Sequence, residues 1–139
     1  MARATVRWIT KGQFIGVDSS KHSVVLSTQD EDNGIGMKPS ELLLLAVGGC
    51  SSVDIVSILQ KKRQHLTGLE VEVTGEQDAD PPWTFRKIHV TYIVRGRGLA
   101  EKAVADAIKL SEEKYCSVST TLARAVEITT EYRIVEEAA

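Results

Sequence analysis

The feature that most constrains the fold is a long apolar segment that follows Pro39. Proline fits the first turn of a helix, and the acidic Glu41 beside it suits the positive end of the helix dipole. The run at residues 42–47 is apolar on every side of such a helix, and the cations at residues 61–63 suit its C-terminal end. In a chain of 139 residues, this predicts a long central buried helix. It also predicts a homodimer, because a second copy would help to cover the helix.

Short alternating segments predict strands on both sides of this helix. Three strands come before it, and two strands, two helices and a last strand come after it. The predicted strands are residues 4–10, 14–18, 23–28, 69–74, 84–94 and 126–135, and the predicted later helices are residues 99–114 and 117–125. The order βββ-α-ββ-α-α-β predicts a single α+β domain over residues 1–139.

Composition excludes several classes of function. The formal net charge of −2 gives no basic footprint for nucleic acid or for an anionic membrane surface, so neither partner is expected. The first ten residues alternate polar and apolar side chains and do not resemble a signal peptide. We also expect no run of about 18 apolar residues that could span a bilayer. These observations predict a cytoplasmic protein, whose thiols are mostly kept reduced.

Cys50 lies in the middle of the predicted helix, directly after Gly48 and Gly49. Each glycine inside a helix costs about 1 kcal/mol relative to alanine. The pair therefore indicates either close packing of another backbone or access of a ligand to the thiol. Asp54 and Ser57 follow at i+4 and i+7 and share the helix face of Cys50.

Cys116 directly precedes the predicted short helix and lies close to Lys114. Helix N-termini and cations both lower the pKa of a thiol, so position alone predicts the more acidic thiol at Cys116. Each cysteine is equally compatible with a small buried packing residue. The two are far apart in sequence and form no CxxC motif, so nothing local indicates that they meet.

The three histidines are His22, His65 and His89. They show no metal-ligand spacing with one another or with the cysteines. We therefore predict no metal site and no cofactor.

Three segments together resemble the OsmC/Ohr family, the osmotically inducible and organic hydroperoxide resistance proteins. Residues 38–51 (KPSELLLLAVGGCS) are similar to the central cysteine helix of that family, and the sequence after Cys50 is closest to its less characterised OsmC-like branch. Residues 82–90 (PWTFRKIHV) are similar to its long strand, and residues 114–118 (KYCSV) to its second-cysteine motif. The resemblance covers nearly the whole chain in the same order of elements.

The resemblance implies an intertwined homodimer with the two long helices packed centrally. It also implies thiol-dependent peroxidase activity in the oxidative stress response, with an organic hydroperoxide as substrate. Cys50 would attack the peroxide and become a sulfenic acid, and Cys116 would resolve that acid to a disulfide. An external thiol or dithiol would then reduce the disulfide.

The activating residues of the peroxidases are placed differently in this sequence. The family carries a glutamate ten residues before the reactive cysteine, whereas position 40 is Ser40 and the nearest glutamate is Glu41. Nine residues make two and a half helical turns, so Glu41 faces away from Cys50. Residues 11–21 also lack the expected arginine, for which Arg3, Arg7, Arg86 or a residue of a partner chain could substitute.

A second hypothesis therefore stands beside the peroxidase. The chain would be a non-catalytic redox-sensing or small-molecule-binding protein that keeps the fold and has lost the activating glutamate and arginine. An acyl or thioester role for Cys50 is a third, more distant alternative.

Overall fold

The structure is a computed structural model that describes residues 1–138. The chain divides into two compact units, Met1–Leu43 and a larger unit that begins at Leu44. Each unit is described by itself.

The first unit contains a three-stranded antiparallel meander. Its strands are β1 (Ala4–Thr10), β2 (Gln13–Asp18) and β3 (Ser23–Ser27), in the order β1-β2-β3. The loop after β3 is fixed by Asn33, whose side-chain Oδ1 accepts a hydrogen bond from the backbone N–H of Gly12 at 3.1 Å. The predicted meander is therefore confirmed, with β3 ending one residue earlier than expected.

Helix α1 spans Glu41–Lys61, 21 residues. It begins two residues after Pro39, and Lys38 forms an ion pair with Glu41 at 3.6 Å. Acidic and basic residues thus lie at the two ends that the helix dipole favours.

The second unit contains a three-stranded sheet with the order β4-β5-β6. The strands β4 (His65–Gln77) and β5 (Phe85–Arg97) are antiparallel, and β6 (Glu127–Glu136) runs parallel to β5. Both β4 and β5 are longer than predicted, because cross-strand pairing continues through glycines and charged residues that interrupt the apolar alternation. As the central strand, β5 buries every second side chain: Ile88, Val90, Tyr92 and Val94.

The connection from β5 to β6 carries the remaining helices. Helix α2 (Glu101–Leu110) continues into a π-helical turn (Ser111–Tyr115), and helix α3 (Ser117–Leu122) follows. The prediction of one helix over residues 99–114 is corrected here. The chain widens at the turn because the N–H of Cys116 donates to the carbonyl of Ser111, five residues back, at 2.7 Å.

Only one face of α1 is buried within the chain. Val47, Ile55 and Leu59 are fully buried, whereas Leu45 is 57% exposed and Val53 is 72% exposed. We expected a helix buried on all sides. Within a single chain, α1 is buried on one face and exposed on the opposite face.

The two glycines of α1 have different surroundings. A Cβ atom on Gly48 would lie 3.2 Å from Cγ2 of Val73 on β4, so this glycine permits close packing of the helix on the sheet. A Cβ atom on Gly49 would meet nothing within 4 Å.

The expectation of no segment fit to span a bilayer is also corrected. By length and composition alone, α1 is apolar enough to do so. Its Gly, Ala and Ser residues interrupt the run of large apolar side chains without making the segment polar. In this fold its buried face packs in the core of the second unit.

The glycine pair gives a direct test of this packing. We expect Gly49→Ala to raise the free energy of unfolding by about 0.5–1 kcal/mol, because alanine costs less than glycine in an exposed helix position. Gly48→Ala should be at least about 1 kcal/mol less stable than Gly49→Ala, because its new methyl group overpacks against Val73. Urea unfolding of the two variants measures the difference. A destabilised Gly49→Ala protein would show that a second chain packs on this face of α1, because Gly49 is open within the single chain.

Candidate thiol site

The second unit brings Cys50 and Cys116 together. Cys50 lies on α1 and is half-buried, and Cys116 lies between the π-helical turn and α3 and is fully buried. Both are free thiols, and their sulfur atoms lie within 4.8 Å of each other. Two residues that are distant in sequence thus form one pair of thiols.

Cys116 is the N-terminal capping residue of α3. Its Sγ accepts a hydrogen bond from the backbone N–H of Ser119 at 3.4 Å and is hydrogen-bonded to Ser119 Oγ at 3.2 Å. On its other side, Ser51 Oγ of α1 donates to the same sulfur at 3.8 Å. A sulfur surrounded by donors is suited to carry negative charge.

The pKa values of the two thiols move in opposite directions. Burial raises the pKa of Cys50, and so does its hydrogen bond to the Cys116 sulfur. Burial alone would also raise the pKa of Cys116, but the hydrogen bonds from Ser119, Cys50 and Ser51 outweigh it and hold that pKa below its usual value. Cys116 is therefore the more acidic of the two thiols.

Asp54 brings a carboxylate to the same site. It lies one turn after Cys50 on α1, and one of its carboxylate oxygens is within 4.8 Å of both sulfurs. The hydroxyl of Ser111, which is fully buried, donates to Oδ2 of Asp54 at 2.9 Å. The π-helical turn thus begins at Ser111, which binds Asp54, and ends directly before Cys116.

A second polar contact lies at the base of the site. The hydroxyl of buried Tyr92 donates to Oε1 of Glu112 at 3.3 Å. Burial raises the pKa of Glu112, partly offset by its hydrogen bonds with Tyr92 and Thr130. Burial also raises the pKa of Tyr92, so its phenol stays protonated at neutral pH.

A surface cleft of about 360 Å³ reaches this site at Asp54. It combines apolar walls with cationic side chains. Its lining residues are Asp54, Ser57, Ile58, Lys61, Lys62, Leu110 and Tyr115.

Other residues considered from sequence are engaged elsewhere. Arg86, a candidate activating arginine, binds Asp78 through two hydrogen bonds from its Nε and one from its Nη2. His89 contacts Thr129 and Glu131 across the sheet. Arg3 and Arg7 belong to the first unit.

The serines of the site were not identified from sequence. Both Ser111 and Ser119 are buried: the Ser111 hydroxyl donates to Asp54, and the Ser119 hydroxyl accepts a hydrogen bond from the Cys116 thiol. A serine three residues after a helix-capping cysteine is a recognisable signal once the helix start is known. Ser111 had no such signal, because its role depends on the π-helical turn.

Comparison with known proteins supports this description. The chain is 42% identical over 133 residues to protein YhfA of Escherichia coli, a match that covers 96% of this chain and 98% of YhfA. A hypothetical protein from Aquifex aeolicus has a similar structure, with a TM-score of 0.88, 27% identity and coverage of 99% of this chain and 98% of its own. The organic hydroperoxide resistance protein OhrB of Bacillus subtilis shares the fold, with a TM-score of 0.63, 15% identity and coverage of 96% and 98%.

Residues 29–131 match the OsmC-like protein family. The chain therefore belongs to this family, as the resemblance predicted.

Glu112 gives a prediction about the pH dependence of stability. Its pKa is higher in the folded chain than in the unfolded chain, so between these two values the folded state binds more protons. The stabilisation is complete below the unfolded pKa and is lost as pH rises through the folded pKa. We expect Glu112→Gln to remove this loss, so that stability falls less between pH 4 and neutrality, as measured by urea unfolding at each pH.

The control is Glu113→Gln, which removes an exposed carboxylate from the same turn. An unchanged pH profile in Glu112→Gln would contradict the burial of Glu112.

Ser119 gives a prediction about thiol reactivity. In a Cys50→Ser background, Ser119→Ala removes the hydroxyl beside the Cys116 sulfur, so the pKa of Cys116 should rise. The midpoint of the alkylation rate against pH would then move to higher pH. Thr121→Ala is the matched control, because it removes an exposed hydroxyl from the same helix. A midpoint that stays in place or moves to lower pH would show that Ser119 does not stabilise the thiolate.

Proposed function

We propose that this protein is a thiol-dependent peroxidase that reduces organic hydroperoxides through Cys50 and Cys116. The observation that carries the proposal is the pair of free thiols within 4.8 Å of each other, in which the Cys116 sulfur accepts hydrogen bonds that favour negative charge. A thiolate is the nucleophile in cysteine chemistry, and a second thiol close by allows disulfide formation. Family membership and the hydroperoxide-resistance activity in the name of OhrB agree with this chemistry.

The two thiols together supply the nucleophile and the proton of the first step. Cys50 is the more exposed cysteine, so the peroxide meets Cys50 first. The reactive form is the one in which Cys50 has lost its proton and Cys116 keeps its own. Its sulfur attacks the terminal peroxide oxygen, the O–O bond breaks, and Cys50 becomes a sulfenic acid.

The leaving alkoxide takes the proton from Cys116 and departs as an alcohol. Cys116 is now a thiolate beside the sulfenic acid. It attacks the Cys50 sulfur, a disulfide forms, and hydroxide leaves and is protonated by solvent. An external thiol or dithiol then reduces the disulfide by exchange, which suits the cytoplasm.

The cleft beside Asp54 suits an apolar hydroperoxide. Ile58, Leu110 and Tyr115 line it with apolar surface next to the site. An alkyl or aryl group would bury that surface on binding, which hydrogen peroxide cannot do.

We propose further that the working unit is a homodimer. Leu45 and Val53 are large apolar side chains on the exposed face of α1, and Val6 and Trp8 are exposed on β1. A second copy would remove this surface from water.

The cysteine variants test the proposal. With excess dithiothreitol, the wild type should consume cumene hydroperoxide catalytically and faster than hydrogen peroxide. Cys50→Ser should fall to the rate of the double variant Cys50→Ser/Cys116→Ser. In the absence of reductant, Cys116→Ser should consume one equivalent per chain, form no intramolecular disulfide and leave a sulfenic acid that dimedone traps. Wild-type turnover no greater than that of Cys50→Ser would end the proposal.

One observation favours a second candidate, a redox sensor without turnover. The pKa of Cys50 is raised, which makes a sluggish nucleophile. A sensor would form the Cys50–Cys116 disulfide slowly and once, and excess dithiothreitol would not sustain peroxide consumption. Time courses with limiting and excess reductant separate the two functions.

A further inference from the structure

Asp54 adds a carboxylate to the two thiols as a third potential metal ligand. The sulfurs of Cys50 and Cys116 and a carboxylate oxygen of Asp54 all lie within 4.8 Å of one another. We propose that the reduced protein binds one zinc ion per chain between these three side chains. Spacing along the sequence could not indicate this site, because its donors come from the middle of α1 and from the start of α3.

The three donors are of the types that zinc prefers. Zinc binds cysteine sulfur at about 2.3 Å and carboxylate oxygen at about 2.0–2.2 Å, in tetrahedral geometry. Ligand atoms at those distances are roughly 3.5–3.8 Å apart. The donors here need to close by only about 1 Å, which rotation about their side-chain bonds supplies.

Outer hydrogen bonds already orient the donors. Ser111 Oγ donates to Oδ2 of Asp54, which leaves the other carboxylate oxygen for the metal. Ser119 and Ser51 hold the Cys116 sulfur from two sides. Partners of this kind fix ligand orientation and are worth about tenfold to a hundredfold in metal affinity.

The site has an entry path. Asp54 lines the cleft of about 360 Å³, so an ion can reach the carboxylate from solvent before it meets the sulfurs. Lys61 and Lys62 line the same cleft and oppose a cation there. Two thiolates and a carboxylate carry three negative charges, which outweigh the two lysines, and the thiol protons leave to solvent as zinc binds.

Zinc and oxidation compete for the same atoms. A disulfide removes both sulfurs as ligands, so only the reduced protein binds zinc. Bound zinc is coordinated by the sulfur lone pairs that would otherwise attack a peroxide, so it should slow that reaction. The three protein ligands leave the fourth zinc position open to water.

The inference goes beyond the proposed peroxidase and does not depend on it. Equilibrium binding of zinc requires no peroxide. A protein that binds zinc and consumes no hydroperoxide would retain this inference and end the proposed function, and the reverse result would do the opposite.

The experiment titrates the reduced full-length chain with zinc against a chromophoric zinc indicator. Cobalt(II) in a parallel titration reports thiolate ligands by its charge-transfer absorption. We expect one ion per chain in the reduced protein and none in the disulfide form. Asp54→Asn should weaken zinc binding by at least about tenfold, and Ser111→Ala by about tenfold. Asp78→Asn, a carboxylate that binds Arg86, is the control and should bind as the wild type does.

A further measurement needs no variant. One equivalent of zinc should slow alkylation of Cys50 and Cys116 in the wild type at least tenfold, and a chelator should restore the rate. The inference is overturned by wild-type alkylation that zinc leaves unchanged, by equal binding to the oxidised protein, or by a folded Asp54→Asn protein that binds as tightly as Asp78→Asn.

Discussion

The hydrogen bonds at the Cys116 sulfur are the interaction on which the site depends. Capping of α3 by this sulfur fixes where the helix begins and points the backbone N–H of Ser119 at the thiol. The same sulfur accepts a hydrogen bond from Ser51 on α1 and so links the start of α3 to that helix. Without the hydrogen bonds to Cys116, burial would raise the pKa of both thiols.

The site is a small group of buried polar side chains within an apolar core. Ser51, Ser111 and Ser119 are buried among the aliphatic side chains of α1, α2 and β5. Among residues 1–138, no buried side-chain nitrogen or oxygen lacks a hydrogen-bond partner. Because unpaired polar atoms are costly in such surroundings, the serine positions are constrained almost as tightly as the cysteines. This explains how a thiolate can be stabilised by neutral hydroxyl and amide donors in its own unit.

The sequence predicted the order of elements, the long helix and the second cysteine at a helix start. Apolar periodicity indicated the helices and strands, and Pro39 and the cations at residues 61–63 marked the two ends of the long helix. It did not predict the π-helical turn, because a wider turn has no composition signal. The roles of Ser111 and Glu112 follow from this turn and were therefore missed. Asp54 was placed on the face of Cys50 from helical spacing alone, but its distance to Cys116 depends on how α1 packs beside α3.

The parallel pairing of β5 with β6 has a consequence for how the site forms. A parallel pair needs a crossover connection, and here that connection carries α2, the π-helical turn, Cys116 and α3. The crossover is closed only when β6 docks along β5, which pairs residues about forty positions apart in sequence. During synthesis, Cys50 therefore leaves the ribosome before Cys116 has been placed beside it. Strand β6 is the last strand to be synthesised, and its pairing with β5 closes the crossover that carries Cys116. Until then, the nascent chain contains α1 with a free Cys50 thiol but does not contain the assembled site.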